Sequence, residues 1–579
     1  MTRMTILLSL LVVPALASAA SLDEPWRISD SSNGPLVSTA IPAGTTPGHP
    51  APAGLRSWPA TTLSTVVSPV FADLDGDGML EVVTADDRYA YAFSTAGALL
   101  WQRDIGGANM HAAVADLDGD RIPEIMIGSN FPGPRLWVLD PAGNPKPGWP
   151  VSLPYTTLAN VTSPVVADLD GDGRREVGVA TENGVSFIRA DGTVPAGWPY
   201  LWPVPINNPQ WSAPAVGDVD GDGAPEIAVG NADYPDWGVH LIRADGTAMP
   251  GWPKVIEPVW SSPALADLDG DGHLEIIAQE GDPGSLGYRM WVWHHDGSVA
   301  AGWPRAIAVE GNSSRSSPAV GDLDGDGVLE IITATGDGLL HILRPNGAER
   351  PGWPRPTGGV QPVASAAVID MDGDSIEEIF LTYWRSEAQY VSGWHLDGSV
   401  VAGFPKLLYS GTDLNSHSST HLADPNGDGV LDLTVSGSSI AAGRVWVLAV
   451  DASVVGPATR RDWPKMRRDL ENRACFCEPE PAVVAEPAGG APVVTPLTVQ
   501  PNPAFAADRI VVGGLAGEPG ELAVFDVAGR LLGRRAIEPG AIALPAAELI
   551  GSRSGIVVLR WDPLGSGAAR SARLVILAR

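Results

Sequence analysis

The nonapeptide Asp267-Leu268-Asp269-Gly270-Asp271-Gly272-His273-Leu274-Glu275 places carboxylates at its first, third, fifth and ninth positions. That spacing suits a hard cation, because Ca²⁺ takes about six to eight oxygen ligands at roughly 2.3–2.6 Å. Such side chains converge only if the backbone coils tightly, and glycines at positions four and six permit that path. The carbonyl of position seven is expected to face the ion as well. The pattern occurs eight times. The predicted ligand sets are Asp73, Asp75, Asp77, Met79 and Glu81, then Asp116, Asp118, Asp120, Ile122 and Glu124. The third and fourth are Asp168, Asp170, Asp172, Arg174 and Glu176, and Asp218, Asp220, Asp222, Ala224 and Glu226. The fifth and sixth are Asp267, Asp269, Asp271, His273 and Glu275, and Asp322, Asp324, Asp326, Val328 and Glu330. The last two are Asp370, Asp372, Asp374, Ile376 and Glu378, and Asp424, Asn426, Asp428, Val430 and Asp432. Up to eight Ca²⁺ are therefore expected.

An EF-hand also begins Asp-x-Asp-x-Asp-Gly but closes with a bidentate Glu at position twelve between helices. Position twelve here is Thr84, Ile127, Val179, Val229, Ala278, Thr333, Leu381 or Val435, and the flanks are β-branched. A short loop closed at position nine between two strands is the better reading. Arg121 and Ser375 replace the second glycine in two copies, and Asn426 replaces an aspartate in the last. The last copy is expected to bind more weakly, and Arg121 raises the same expectation for the second.

The loops sit in a chain of 579 residues with formal net charge −31. They hold 31 carboxylates themselves, so the acidity is mostly that of the loops. Such a surface disfavours nucleic acid and anionic membranes, which call for basic patches. Residues 1–20 combine a short basic start, an apolar core and small residues at the end, as in a secretory signal peptide cut after Ala19 or Ala20. No later stretch is long and apolar enough to span a membrane, and the expected location is outside the cell or on its surface. The two cysteines, Cys475 and Cys477, stand one residue apart. A disulfide between them would be strained, so the fold is expected to rest on packing and calcium.

Motif starts are separated by 43, 52, 50, 49, 55, 48 and 54 residues, a period that suits a four-stranded propeller blade. In one repeat, Ser261 to Ala266 reads as the inner strand, Glu275 to Ala278 as the second and Tyr288 to His294 as the third. A turn at Asp296-Gly297 follows, and Gly302-Trp303-Pro304 opens the last strand. The turn and the aromatic-Pro pair recur as Gly143/Trp149-Pro150, Gly192/Trp198-Pro199, Gly246/Trp252-Pro253, Gly347/Trp353-Pro354 and Gly398/Phe404-Pro405. One tryptophan per repeat at one position points to packing between blades. A proline there fits an edge strand, which needs no ladder N–H.

These loops resemble the FG-GAP/VCBS repeat family of calcium-loop β-propellers, also seen in the integrin α-chain head. The resemblance covers roughly residues 55–473 and implies an extracellular binding role, with the loop joining the first two strands of each blade. Eight motifs and the closing Trp463-Pro464 favour eight blades. A seven-bladed ring with one irregular copy stays open. The early Trp58-Pro59 is expected to introduce a strand that seals the ring.

The expected fold class is thus all-β: an N-terminal extension at 21–54, the propeller at 55–473, a Pro/Ala/Glu-rich linker at 474–496 and a small Ig-like β-sandwich at 497–579. In that last region, Pro501-Asn502-Pro503, Val524-Phe525-Asp526-Val527-Ala528-Gly529-Arg530 and Ala572-Arg573-Leu574-Val575 resemble C-terminal type IX secretion sorting domains and the related FlgD-like Ig domains. The resemblance implies an encounter with export machinery. Gly555-Ile556 stands where such tails often carry Gly-Tyr, which separates the fold reading from the sorting reading.

Catalytic signatures are missing from the sequence: there is no G-x-S-x-G, H-E-x-x-H or phosphate-binding glycine loop. His294-His295 lacks a Cys or carboxylate at ligand spacing, and His111 and His421 are read as shaping the loops that follow them. Two functions remain. One is a surface or secreted recognition module for a glycan or protein, with contacts from the irregular inserts at 231–237, 280–287 and 409–416. The alternative is a calcium-dependent polysaccharide lyase or other carbohydrate-active enzyme on an eight-bladed propeller.

Overall fold

The β-branched runs on either side of each acidic loop pair with one another in the computed structural model. It describes residues 60–62 and 67–449, with interruptions at 109–110, 155–159, 204–210, 233–236, 281–287, 309–315, 360–364, 373, 375, 411–418, 426–430 and 440–441. Beyond these it describes strand residues 475–476 and strands between 498 and 577. In the fifth repeat the strands are Ala264–Ala266, Glu275–Gln279, Tyr288–Trp293 and Arg305–Ala308, running antiparallel from the inside outwards. Each of the eight motifs opens such a sheet, so the chain is an eight-bladed propeller and the seven-bladed alternative falls.

Position in the blade decides composition. Inner strands are three residues long and wholly buried, for example Ala113–Ala115 and Ala215–Gly217, because they crowd around the axis where only short, small-residue segments fit. Second strands such as Glu124–Ser129 and Glu176–Thr181 are buried along their whole length, since neighbouring blades cover both of their faces. Outer strands are short and largely open to solvent, as at Val151–Ser152 and Tyr200–Leu201.

The eighth blade is completed from far away in sequence. Its own strands are His421–Ala423, Asp432–Ser439 and Ala442–Ala449, and Ala60–Thr62 adds the fourth, pairing Ala60 with Val445 and Thr62 with Gly443. The sealing strand expected from the N-terminal side therefore exists, directly after Trp58-Pro59, which lie outside the described residues.

Blades are joined by two sets of hydrogen bonds. The first is a belt around the axis, five residues before each loop. There the backbone N–H of Ser262 reaches Ser317 Oγ at 2.9 Å, that of Ser317 reaches Ser365 Oγ at 3.0 Å and that of Ser365 reaches Ser419 Oγ at 3.2 Å. Ser419 closes the ring onto Ser68 Oγ at 2.6 Å. Ala213 and His111 hold the same position and donate their N–H to Ser262 and Ser163. His421 is an inner-strand residue whose Nδ1 accepts the Phe71 N–H at 2.9 Å, tying blade eight to blade one. The His421 imidazole thus works at a blade junction rather than shaping a loop, which corrects the sequence reading for that residue, whereas His111 joins the belt through its backbone N–H.

The second set comes from the tryptophans. Trp149, Trp198, Trp303 and Trp353 are buried and donate their indole N–H to Ala190, Ala244, Pro345 and Leu396 carbonyls of the following blade, at 2.8–3.0 Å. The inter-blade packing expected of them is what they do. All six aromatic-Pro bonds of the motif are cis.

After the ring, Cys475–Phe476 runs parallel to Leu265–Ala266 of the fifth inner strand, although the sequence places it in the linker. Further on, Thr498–Gln500, Arg509–Gly513 and Ile542–Pro545 form one sheet. Ala504–Phe505, Arg570–Leu577, Gly555–Pro563, Gly520–Asp526 and Leu531–Ile537 form a second.

Candidate metal centres

Register places the loop ligands. The aspartate at position one directly follows the inner strand, and the acid at position nine is the first residue of the second strand. The pairs Ala72–Glu81, Ala115–Glu124, Ala167–Glu176, Gly217–Glu226, Ala266–Glu275, Gly321–Glu330, Ile369–Glu378 and Ala423–Asp432 clamp the two ends of every loop. Ends held this way force the intervening residues into one coil.

Inside that coil, carboxylates cap backbone amides. Asp267 Oδ1 accepts from Gly270 at 2.7 Å and its Oδ2 from Gly272 at 3.1 Å. Asp269 Oδ1 accepts from Asp271 at 3.2 Å, and Asp271 Oδ1 accepts from His273 at 2.8 Å. Gly270 and Gly272 have φ of 76° and 92°, the left-handed region where a side chain is strained. Arg121 adopts φ 70° at the equivalent of Gly272, so the second loop keeps the coil despite its substitution.

The position-nine glutamates lie beneath this coil. Oε2 of Glu81, Glu124, Glu176, Glu226, Glu275, Glu330 and Glu378 accepts the N–H of position two at 2.8–3.2 Å. All seven are buried, and burial raises each pKa above its usual value, with the nearby aspartates adding to the rise. Glu226 and Glu378 are pushed up to about 7. A buried carboxylate beside other carboxylates is costly without a positive charge.

In the first four blades, ligand oxygens of positions one, three and nine lie within 4.8 Å of one another, as in Asp73, Asp75 and Glu81 or Asp218, Asp220 and Glu226. The oxygen-only donor set fits a hard divalent cation. Position-five aspartates such as Asp77 and Asp172 lie at the exposed rim and cap the position-seven amide. In the eighth loop, Asp424 and Asp432 are placed at the strand ends, while Asn426, Asp428 and Val430 lie outside the described residues.

Basic groups meet several of these centres. Lys146 Nζ lies 2.8 Å from Asp118 Oδ2 and 2.6 Å from Glu124 Oε1. Arg350 pairs with Asp324 and Glu330. Arg189 lies 3.3 Å from Asp170 and 3.9 Å from Glu176. His294 Nδ1 is 3.0 Å from Glu275 Oε1 and groups with Asp269 and Glu275, and His395 Nδ1 is 3.1 Å from Glu378 Oε1. Sequence spacing found no carboxylate for His294 because its partner lies across a strand pair, 19 residues back. The inserts at 231–237, 280–287 and 409–416 fall largely outside the described residues.

Residues 116–179, 168–229 and 267–333 match the FG-GAP-like repeat family. No curated protein matches the chain. Among solved structures, the V. cholerae biofilm matrix protein Bap1 is similar, with 14% identity and TM-score 0.49, covering 74% of this chain and 97% of that one. A quinohemoprotein alcohol dehydrogenase from Pseudomonas putida HK5 aligns at 14% identity and TM-score 0.44, covering 71% and 78%. The Dos1 propeller aligns at 11% and 0.39, covering 68% and 94%.

Proposed function

We propose that this FG-GAP-like propeller is an exported calcium-binding module that recognises a glycan or protein outside the cell or on its surface. The observation that carries the reading is the recurrence of one acidic coil over a buried glutamate in blade after blade. Each such centre braces the first two strands of its blade once a divalent cation offsets the carboxylates. Chemistry repeated around a ring is the signature of a scaffold, whereas catalysis needs one asymmetric constellation. Asp73, Asp75, Asp77 and Glu81, with the carbonyl of Met79, are the ligands in the first blade, and the corresponding residues serve in each other blade that takes an ion.

The signal-like residues 1–20 support export. The region 497–579 is read as an Ig-like sandwich that meets a sorting apparatus, on the strength of Pro501-Asn502-Pro503 and the Val524-to-Arg530 segment. Recognition falls to the inserts of unequal length between blades, which carry aromatic and polar groups.

The test is a glycan and surface-protein binding screen of the purified protein in calcium and again in chelator. Binding that calcium supports and chelator abolishes is expected. Release of unsaturated ends from a uronate-rich polysaccharide, abolished by one substitution outside the loops, would replace this reading with the lyase.

A further inference from the structure

We infer that blades two and six carry their own cation, the Lys146 ammonium and the Arg350 guanidinium, in the place the other loops offer to calcium. This rests on the calcium reading above and sharpens it: the ring takes two fewer divalent ions than it has loops.

The two basic residues occupy one structural slot. Each stands three residues before the blade's tryptophan, and each anchors its backbone N–H on the third strand, Lys146 on Val138 O and Arg350 on Ile342 O. Met249, Ala300 and Val401 make the same backbone bond in blades four, five and seven, to Leu241, Val292 and Gly393. There the slot holds an apolar side chain too short or too neutral to enter the loop. Only in blades two and six, among these five, does it send a positive charge into the coil of its own blade.

The destination is the ion's position. Lys146 Nζ bridges Asp118 Oδ2 and Glu124 Oε1 and lies 4.0 Å from Asp120 Oδ2, touching positions three and nine and approaching five. Arg350 spreads its two terminal nitrogens over Asp324 Oδ2 and Glu330 Oε1, again positions three and nine. Calcium needs those same oxygens at roughly 2.3–2.6 Å. Seating it would put two positive charges side by side in a partly buried pocket, where repulsion is poorly screened. A tethered cation also binds at a high effective concentration, whatever the calcium level outside. Lys146 and Arg350 are only 21% and 15% exposed, so the seat is built rather than casual. Arg189 in blade three differs, being 41% exposed and more distant from both carboxylates. Blade two adds further positive charge through Arg121 in its loop and through Arg175, which donates to the Asp116 carbonyl at 3.0 Å.

Counting bound calcium on the full chain by native mass spectrometry, after chelation and return to calcium, tests the inference. Wild type should hold no more than six ions. Lys146→Met and Arg350→Met should each add one ion, the double variant two, and Lys146→Arg none. Asp118→Asn should leave the wild-type count unchanged, whereas Asp269→Asn should lower it by one. More than six ions in wild type, a count unmoved by both Met variants, or an ion lost in Asp118→Asn overturns the inference while leaving calcium binding intact. The wild-type count and Asp118→Asn decide the matter even if a Met variant fails to fold. No calcium on any variant overturns the calcium reading, and this inference with it.

Discussion

Glu226→Gln should change the size of its effect on stability with the pH and the contents of the buffer. Glu226 is 2% exposed, and burial together with Asp220, Asp222 and Asp218 pushes its carboxyl up to about 7 from 4.5. A folded-state value above the unfolded one means that the native protein holds a proton the unfolded chain has already released. Without metal, stability is therefore full below 4.5 and falls as pH rises towards about 7. At ~1.4 kcal/mol per pKa unit, the loss approaches about 3 kcal/mol at pH 8. Glutamine keeps the acceptor for the Val219 N–H, 2.9 Å away in wild type, and carries no charge. In EDTA at pH 8 the variant should be more stable than wild type by up to ~3 kcal/mol, and at pH 5 the two should converge. In 1 mM calcium at pH 8 the gap should narrow by ~0.4–1.4 kcal/mol, because wild type gains a bound ion there and the variant has lost a charged ligand. Urea unfolding at the two pH values, with EDTA and with calcium, reads all four differences. The lowered Asp118, Asp271 and Asp324 do not confuse the window, since their contribution disappears only in stronger acid. A variant destabilised equally in EDTA at pH 5 and pH 8 would refute the claim that an uncompensated carboxylate sits there.

Calcium at about 1 mM should stabilise each occupied site by ~0.4–1.4 kcal/mol if dissociation constants are the 10⁻⁴–10⁻³ M usual outside cells. Chelator should then lower the melting temperature, and an unmoved curve would contradict the metal assignment. Ser317→Ala leaves the buried Ser262 N–H without its 2.9 Å acceptor and should cost ~1–3 kcal/mol in urea unfolding. Trp303→Phe removes the 2.8 Å bond to Pro345 O and should cost about 1 kcal/mol, with a larger loss if ring packing is disturbed. Limited proteolysis should cut within 478–496 and release two folded pieces, and cuts inside the blades instead would argue against a separate C-terminal unit.

What could be read from the sequence was what repeats at short range. The loop spacing, the three strands after it, the Asp296-Gly297 turn and the role of Trp303 all lie within one repeat, and eight copies separate signal from accident. The serine belt also repeats, five residues before six of the eight loops, but a serine is too common to stand out until its partner in the next blade is seen. Lys146 and Arg350 escaped for a different reason. Their carboxylate partners lie 22–28 and 20–26 residues back, joined to them only through the folding of a whole blade. The loop acids advertise themselves by mutual spacing, whereas a single cation opposite them advertises nothing.

The pairing of Ala60–Thr62 with Gly443–Val445 turns a linear chain into a hoop fastened by a clasp. Fastening it holds together chain positions 385 residues apart, from Ala60 to Val445, at an entropic cost on the order of 5 kcal/mol. Seven blades can each assemble from neighbouring residues as the chain emerges, but the eighth waits for both ends, so the clasp should set the pace of the final folding step. Until then the edge of Ala442–Ala449 stays unpaired, an open template for a strand of another molecule. The same three residues that complete the hoop therefore also decide whether it closes on itself or links to a neighbour.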